Sequence, residues 1–195
     1  MSDVTVVRGL LSDDDFAALR GFVVDSLRHI GSYDGAFNRT TIHNAPALLD
    51  LHKRLTPFAS ELFKVDLQPS YLFVSNYFDE GVCGLHYDRP QCFRTIDLLV
   101  NQDSEEPWPL AISDAWTDEQ FKQFAESIDP ADADRDVEPR DLGDSVVWNE
   151  ALLYPNDAAC YSGTHSWHFR PVPSTGRADL VFFHFVSEDF DGPLD

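Results

Sequence analysis

The chain has 195 residues, of which 43% are hydrophobic and 13% aromatic, and it carries a formal net charge of −20. That length suits one domain with a single core, and the composition excludes a wholly disordered chain. With 34 acidic residues against 14 Lys and Arg and no basic stretch, the charge weighs against nucleic acid as a partner.

The opening residues Met1-Ser2-Asp3-Val4 do not form a basic region followed by an apolar run, and no stretch of about 18 apolar residues occurs. A cytoplasmic protein without membrane association is the expectation. Cys83, Cys92 and Cys160 are an odd set without CxxC spacing, which predicts reduced thiols in the core rather than disulfides or a thiolate zinc site.

Ser12 followed by Asp15 resembles a capping box, and Phe16, Leu19, Val23, Leu27 and Ile30 recur behind it at helical spacing. This predicts a helix over about 12–30. Residues 31–44 mix Gly, Asn, Asp and Thr and read as a loop; a second helix is predicted from Pro46 to about Lys64, interrupted near Pro57. From Ser70 the texture changes to short runs rich in Val, Ile, Phe and Tyr, predicting strands over 71–78, 93–100, 145–148 and 180–186. A helix over 117–128 and an acidic loop over 129–141 interrupt them. The pattern predicts an α+β but mainly β fold in one domain over 1–195, with a helical part over about 1–66 packed on a sandwich or jelly roll over about 67–190.

The chemistry rests on two segments. His86-Tyr87-Asp88 follows a strand-like run, and residues two apart on a strand share a face, so an imidazole and a carboxylate point the same way. Alone this is weak, because about one His-x-Asp is expected by chance in such a composition. Downstream, His168 precedes Arg177 by nine residues (177 − 168) in a segment able to turn between strands. A second imidazole completes a facial site of two His and one carboxylate, which suits non-haem iron(II).

Together, Tyr77-x-x-x-Gly81-x-x-x-x-His86-x-Asp88 and His168-x-x-Pro171-Val172-x-x-x-Gly176-Arg177 resemble the iron(II)/2-oxoglutarate-dependent dioxygenase superfamily, in its prolyl-hydroxylase-like branch, over about residues 70–186. The approach from Asn156 to Gly163 resembles that family's Gly-Asp-Ala turn and strand, with Asn156 in place of the usual Gly. The resemblance implies a double-stranded β-helix, a cupin-like jelly roll, with His86, Asp88 and His168 as metal ligands. It implies Fe(II) and 2-oxoglutarate as cofactors, dioxygen as co-reactant, and hydroxylation of a small-molecule substrate with release of succinate and CO2. Asp88 sets the chain apart from halogenating relatives, which replace the carboxylate ligand with a small residue. Arg177 stands where the family carries the base that binds the distal carboxylate of 2-oxoglutarate, with Arg170 as its competitor and Tyr77 on the strand lining that pocket.

His165 competes with His168 for the third ligand position, but the offset to Pro171 and Arg177 favours His168. Arg89 and Arg94, beside the metal motif, read as salt-bridge partners ahead of a role in meeting a substrate or co-substrate carboxylate, Asn38, Arg39 and His43 as an early surface or lid loop, His29, His52 and His184 as structural, and Trp108 as packing. Peptide substrates belong to the same superfamily. Two further readings stand beside the first: a 2-oxoglutarate-independent cupin-like metalloenzyme, and a non-catalytic metal-binding jelly-roll module.

Overall fold

The computed structural model describes residues 4–26, 31–127 and 136–195. Its frame is a seven-stranded antiparallel sheet facing a three-stranded one. In chain order the elements are β1 (Thr5–Val7), α1 (Asp13–Ser26), β2 (Ser32–Asp34), β3 (Arg39–His43), α2 (Leu49–Phe63), β4 (Leu67–Tyr77), β5 (Arg94–Gln102), β6 (Leu110–Ser113), α3 (Asp118–Ser127), β7 (Trp148–Ala151), β8 (Ala158–Tyr161), β9 (His168–Phe169) and β10 (Ala178–Ser187).

The large sheet runs β1-β8-β5-β10-β4-β3-β2 and the small one β7-β6-β9. His86 extends the small sheet by an antiparallel bridge to His168. Counting His86, the chain places β4 in the large sheet, His86 in the small, β5 in the large, β6 and β7 in the small, β8 in the large, β9 in the small and β10 in the large. This weave is the expected double-stranded β-helix.

Each face of the large sheet has its own packing. On one side Leu72, Val74, Ile96, Leu98, Val181, Phe183 and Phe185 pack with Leu19 and Val23 of α1 and Leu51, Leu55 and Ala59 of α2. Each such side chain contributes about 1.5–3 kcal/mol on burial. On the other side a second cluster, including Tyr77, Leu99, Leu110, Ile112, Tyr161 and Leu180, fills the space between the sheets.

Several expectations are corrected. The predicted loop over 31–44 contains the hairpin β2–β3, which joins the sheet through β4, so the N-terminal part is not purely helical. Its Thr40, Thr41 and Ile42 are β-branched, a signal masked by the surrounding Gly and Asn. Pro57 lies inside α2 without ending it, and the Thr56 hydroxyl donates to the His52 carbonyl in the turn before it. The strand predicted over 145–148 instead spans Trp148–Ala151, where β6 pairs with it. The capping expectation at Ser12 holds: its hydroxyl accepts from the Asp15 N–H at 3.3 Å. The end of the first predicted helix, with Leu27, His29 and Ile30, and most of the acidic stretch lie outside the described residues. Among the described residues no helix is long and apolar enough to cross a membrane.

Candidate metal centre and its cavity

The ladder bridge that closes the small sheet also builds the centre. His86 and His168 exchange backbone hydrogen bonds of 3.1 and 2.8 Å, which brings their rings to a centroid separation of 4.2 Å. Asp88, two residues beyond His86, is tied by its N–H to the Gly163 carbonyl at 2.8 Å. Its Oδ1 stands 3.7 Å from Nε2 of His86 and 3.7 Å from Nε2 of His168. These gaps are too long for hydrogen bonds and short enough for one shared ion.

The tautomers are set from behind. His86 Nδ1–H donates to the Gly84 carbonyl at 2.8 Å, and His168 Nδ1–H donates to the Ser166 carbonyl at 2.9 Å. Both Nε2 lone pairs are thereby left for a metal, the usual device for fixing ligating imidazoles. Burial holds His168 near pKa 4, and burial followed by the neighbouring His168 does the same for His86. His168 is the firmer case, because its side chain is 4% exposed against 42% for His86. Burial raises Asp88 to about 6 despite the opposing effects of His86 and Arg89. Two neutral imidazoles and a carboxylate that resists ionising form a donor set whose strain a divalent cation relieves, so these residues fit a first-row metal.

Gly163 makes room for this arrangement. A Cβ there would sit 2.5 Å from Asp88 Oδ2 and 2.8 Å from Thr95 Oγ1, closer than any real Cβ contact.

The three groups line a cavity of about 340 Å³. Its sheet-side wall follows from register: His43, Phe73, Phe182 and Asp97 form one row across β3, β4, β10 and β5. The next cavity-facing pair along β3 and β4 is Arg39 and Tyr77, whose hydroxyl accepts from Arg39 Nη1 at 2.9 Å. Arg170, two residues beyond His168 and so on the same face, enters from the opposite side. It stacks 4.3 Å over Trp108, donates to the Trp108 carbonyl at 2.7 Å, and lies 3.4 Å from Asp97. Burial raises Asp97 to about 6, with Arg170 opposing, and its Oδ1 has no hydrogen-bond partner.

Of the residues singled out from sequence, His86, Asp88, His168, Tyr77 and Arg170 all line this cavity. Arg177 does not. It shares a strand face with Asp179, Val181 and Phe183, the helix-packed side, whereas Phe182 and His184 face the cavity. Its guanidinium grips buried Asp179 at 2.9 Å, which also bonds to Asn76. His165 lies away from the cluster, near Asp118 of α3 at 3.6 Å.

Sequence reading missed Asp97 and His184 as cavity residues, and ranked the site roles of Arg39, His43 and Arg89 below a surface loop and a salt bridge. Strand parity from Tyr77 back to Phe73 and Tyr71, and across to His184, was the signal available for the sheet wall. Cys83 also lines the cavity, while Cys92 and Cys160 are buried as expected.

No family model and no curated protein sequence matches the chain. Solved structures do. The non-heme alpha ketoglutarate dependent carbocyclase SnoK from nogalamycin biosynthesis aligns with a TM-score of 0.72 at 14% identity, over 96% of this chain and 81% of its own. HygX from Streptomyces hygroscopicus, with nickel, 2-oxoglutarate and hygromycin B bound, gives 0.64 at 11% identity over 97% and 84%. A Pseudomonas putida prolyl-4-hydroxylase gives 0.66 at 11% over 96% and 94%. The chain is therefore built on the same double-stranded β-helix as these three enzymes.

Proposed function

We propose that the chain is, along its whole length, an iron(II)- and 2-oxoglutarate-dependent oxygenase that hydroxylates a small molecule. The observation that carries this reading is the convergence of His86 Nε2, Asp88 Oδ1 and His168 Nε2 on a cavity with two guanidiniums, Arg39 and Arg170, gathered around Tyr77. The neighbours support it: HygX carries a metal, 2-oxoglutarate and a small molecule together, as does the epimerase SnoN.

In this reading the three side chains hold iron(II), and the iron with 2-oxoglutarate supplies oxidation of a substrate C–H bond by dioxygen, with the co-substrate leaving as succinate and CO2. Arg170, clamped by Trp108, is assigned to the distal carboxylate of the co-substrate, because a planar fork makes two parallel charge-assisted bonds. Tyr77 and Arg39 border the same place. Asp97 must be protonated or turned aside when that carboxylate arrives, since two anions cannot share one guanidinium cheaply. Arg177 is assigned a structural role with Asp179. Three free thiols suit a reducing compartment, and the cytoplasm is the location we assign.

The test is anaerobic addition of iron(II) and then 2-oxoglutarate, followed by the weak visible charge-transfer band of the chelate. The band is expected in the wild type and in Arg177→Lys, to weaken in Arg170→Met, and to vanish in Asp88→Ala. Iron bound at one equivalent without any band sinks the reading and favours a 2-oxoglutarate-independent metalloenzyme on the same fold.

A further inference from the structure

The cavity has two chemically unlike ends. Around Tyr77 it presents Arg39 and Arg170; past the centre it presents the rings of His43, Tyr71, Phe73, Phe182 and His184. These form a continuous wall: His43 lies 4.5 Å from Phe73, Phe73 5.9 Å from Phe182, Phe182 6.2 Å from His184 and nearly parallel to it, and His184 4.6 Å from Tyr71. Burial lowers the pKa of both histidines, with Arg89 and then Arg39 adding to the effect at His43 and His52 at His184. The wall therefore offers ring faces rather than charge. Leu110 is the one aliphatic residue lining the cavity, so it is better matched to a flat unsaturated molecule than to an alkyl chain.

Two cations stand beside that wall: Arg39, 5.1 Å over Phe73 but paired with Asp34 at 3.2 Å, and Arg89. Arg89 follows Asp88 directly, and its guanidinium lies 4.4 Å over the Tyr71 ring, with Nε 3.4 Å from the Tyr71 hydroxyl. Among the described residues no carboxylate lies within ion-pair distance of it, whereas Arg8, Arg39, Arg54, Arg170 and Arg177 each have an acidic partner. In a chain of net charge −20 an arginine that feels Asp88 only at a distance, makes no ion-pair contact and is held by stacking at a cavity is a preorganised anion receptor. It also answers the electrostatic problem that an anionic substrate meets on an acidic surface. About 340 Å³ is at the small end for ligand sites, leaving space for a small ring system beside a co-substrate.

We infer that the substrate is a small planar aromatic acid, its ring against the Tyr71–Phe73–Phe182–His184 wall and its anionic group on Arg89. The assignment of this pocket as the substrate side rests on the oxygenase reading, but its binding chemistry is testable without metal or co-substrate.

The experiment is calorimetric titration of the metal-free full chain with phenylacetate, phenylacetamide and cyclohexylacetate at up to millimolar concentration. Phenylacetate is expected to bind, with the amide and the saturated ring each about 10-fold weaker or more. Arg89→Met should lower phenylacetate affinity about 10-fold while leaving the amide unchanged; Arg89→Lys, which keeps the charge and loses the fork, should fall between. Arg170→Met should leave phenylacetate binding intact. No binding, equal binding of acid and amide, indifference to Arg89→Met, or loss in Arg170→Met overturns the inference. Phenylacetate held by Arg89 in a chain that gives no 2-oxoglutarate band supports the binding site and sinks only the oxygenase reading.

Discussion

The two faces of the large sheet are made by alternate residues of the same strands and have opposite characters. Val181, Phe183 and Phe185 of β10 are fully buried against the helices, while Phe182 and His184 look into the cavity. On β5, Ile96 and Leu98 serve the core, and Asp97 between them is the cavity carboxylate. One face is closed and apolar throughout; the other shares an apolar cluster with the small sheet and opens, at the cavity, onto aromatic, charged and titratable side chains. The lesson is that stability and chemistry are separated here by a single step along the chain, so neighbours in sequence should respond to mutation in unlike ways.

The sharpest test is a pair of truncations on β10. Phe183→Ala should cost about 3–5 kcal/mol in urea unfolding, and Phe182→Ala well under half of that, because Phe182 already borders open space. Equal costs would break the comparison.

Acidification should act on both faces, because burial lowers His86, His168 and His184 on the cavity side as well as His52 among the helices. His52 on α2 is buried, donates to the His184 carbonyl at 2.9 Å, and has its pKa lowered by burial from 6.5 to about 4. Between these values the unfolded chain binds a proton that the folded chain refuses. Stability is therefore fully present above about pH 6.5 and is lost as pH falls toward 4, by up to about 3 kcal/mol. His52→Gln should flatten that slope in denaturant midpoints measured from pH 7 to 4.

On the cavity face, His168→Ala should reduce iron affinity about 100-fold or more, read by competition with a chelator, and Phe183→Ala should leave the affinity of the folded fraction unchanged. Smaller, and placed between the two faces, is Gly163→Ala. Its new methyl would press on Asp88 and Thr95, so a stability loss of about 1–3 kcal/mol should come with weakened metal binding. Strong destabilisation with unaltered iron affinity would show that Asp88 does not depend on this contact.

Much of this division was legible in the sequence. The runs that became β4, β5 and β10 announced themselves by β-branched and aromatic content, and the proposed ligand set was readable from two motifs because the residues two apart in His86-x-Asp88 share one side of an extended chain. Arg177 was not readable in the same way. Its offset from His168 matches the family pattern, yet orientation depends on where the β10 alternation begins, and that is fixed by pairing with β4 and β5 rather than by spacing. The β2–β3 hairpin was hidden for a similar reason: the five residues of β3 gain their stability from the edge of β4 and the three of β2 from β3, and local propensity records little of it. For Arg89 the salt-bridge reading was ranked above a substrate contact because acidic residues are abundant, but abundance says nothing about which cations the fold leaves without an ion-pair contact.

The bridge between His86 and His168 joins residues 82 positions apart (168 − 86). Everything between them, including β5 through β8, must be synthesised before the two imidazoles can meet. A nascent chain emerging from its N-terminus carries His86 and Asp88 for a long interval without a third ligand. On the proposed reading, in which His168 is the third ligand, metal capture has to wait for that residue to be made and closes a loop of long range. A truncated product that ends before residue 168 lacks the third ligand of the centre.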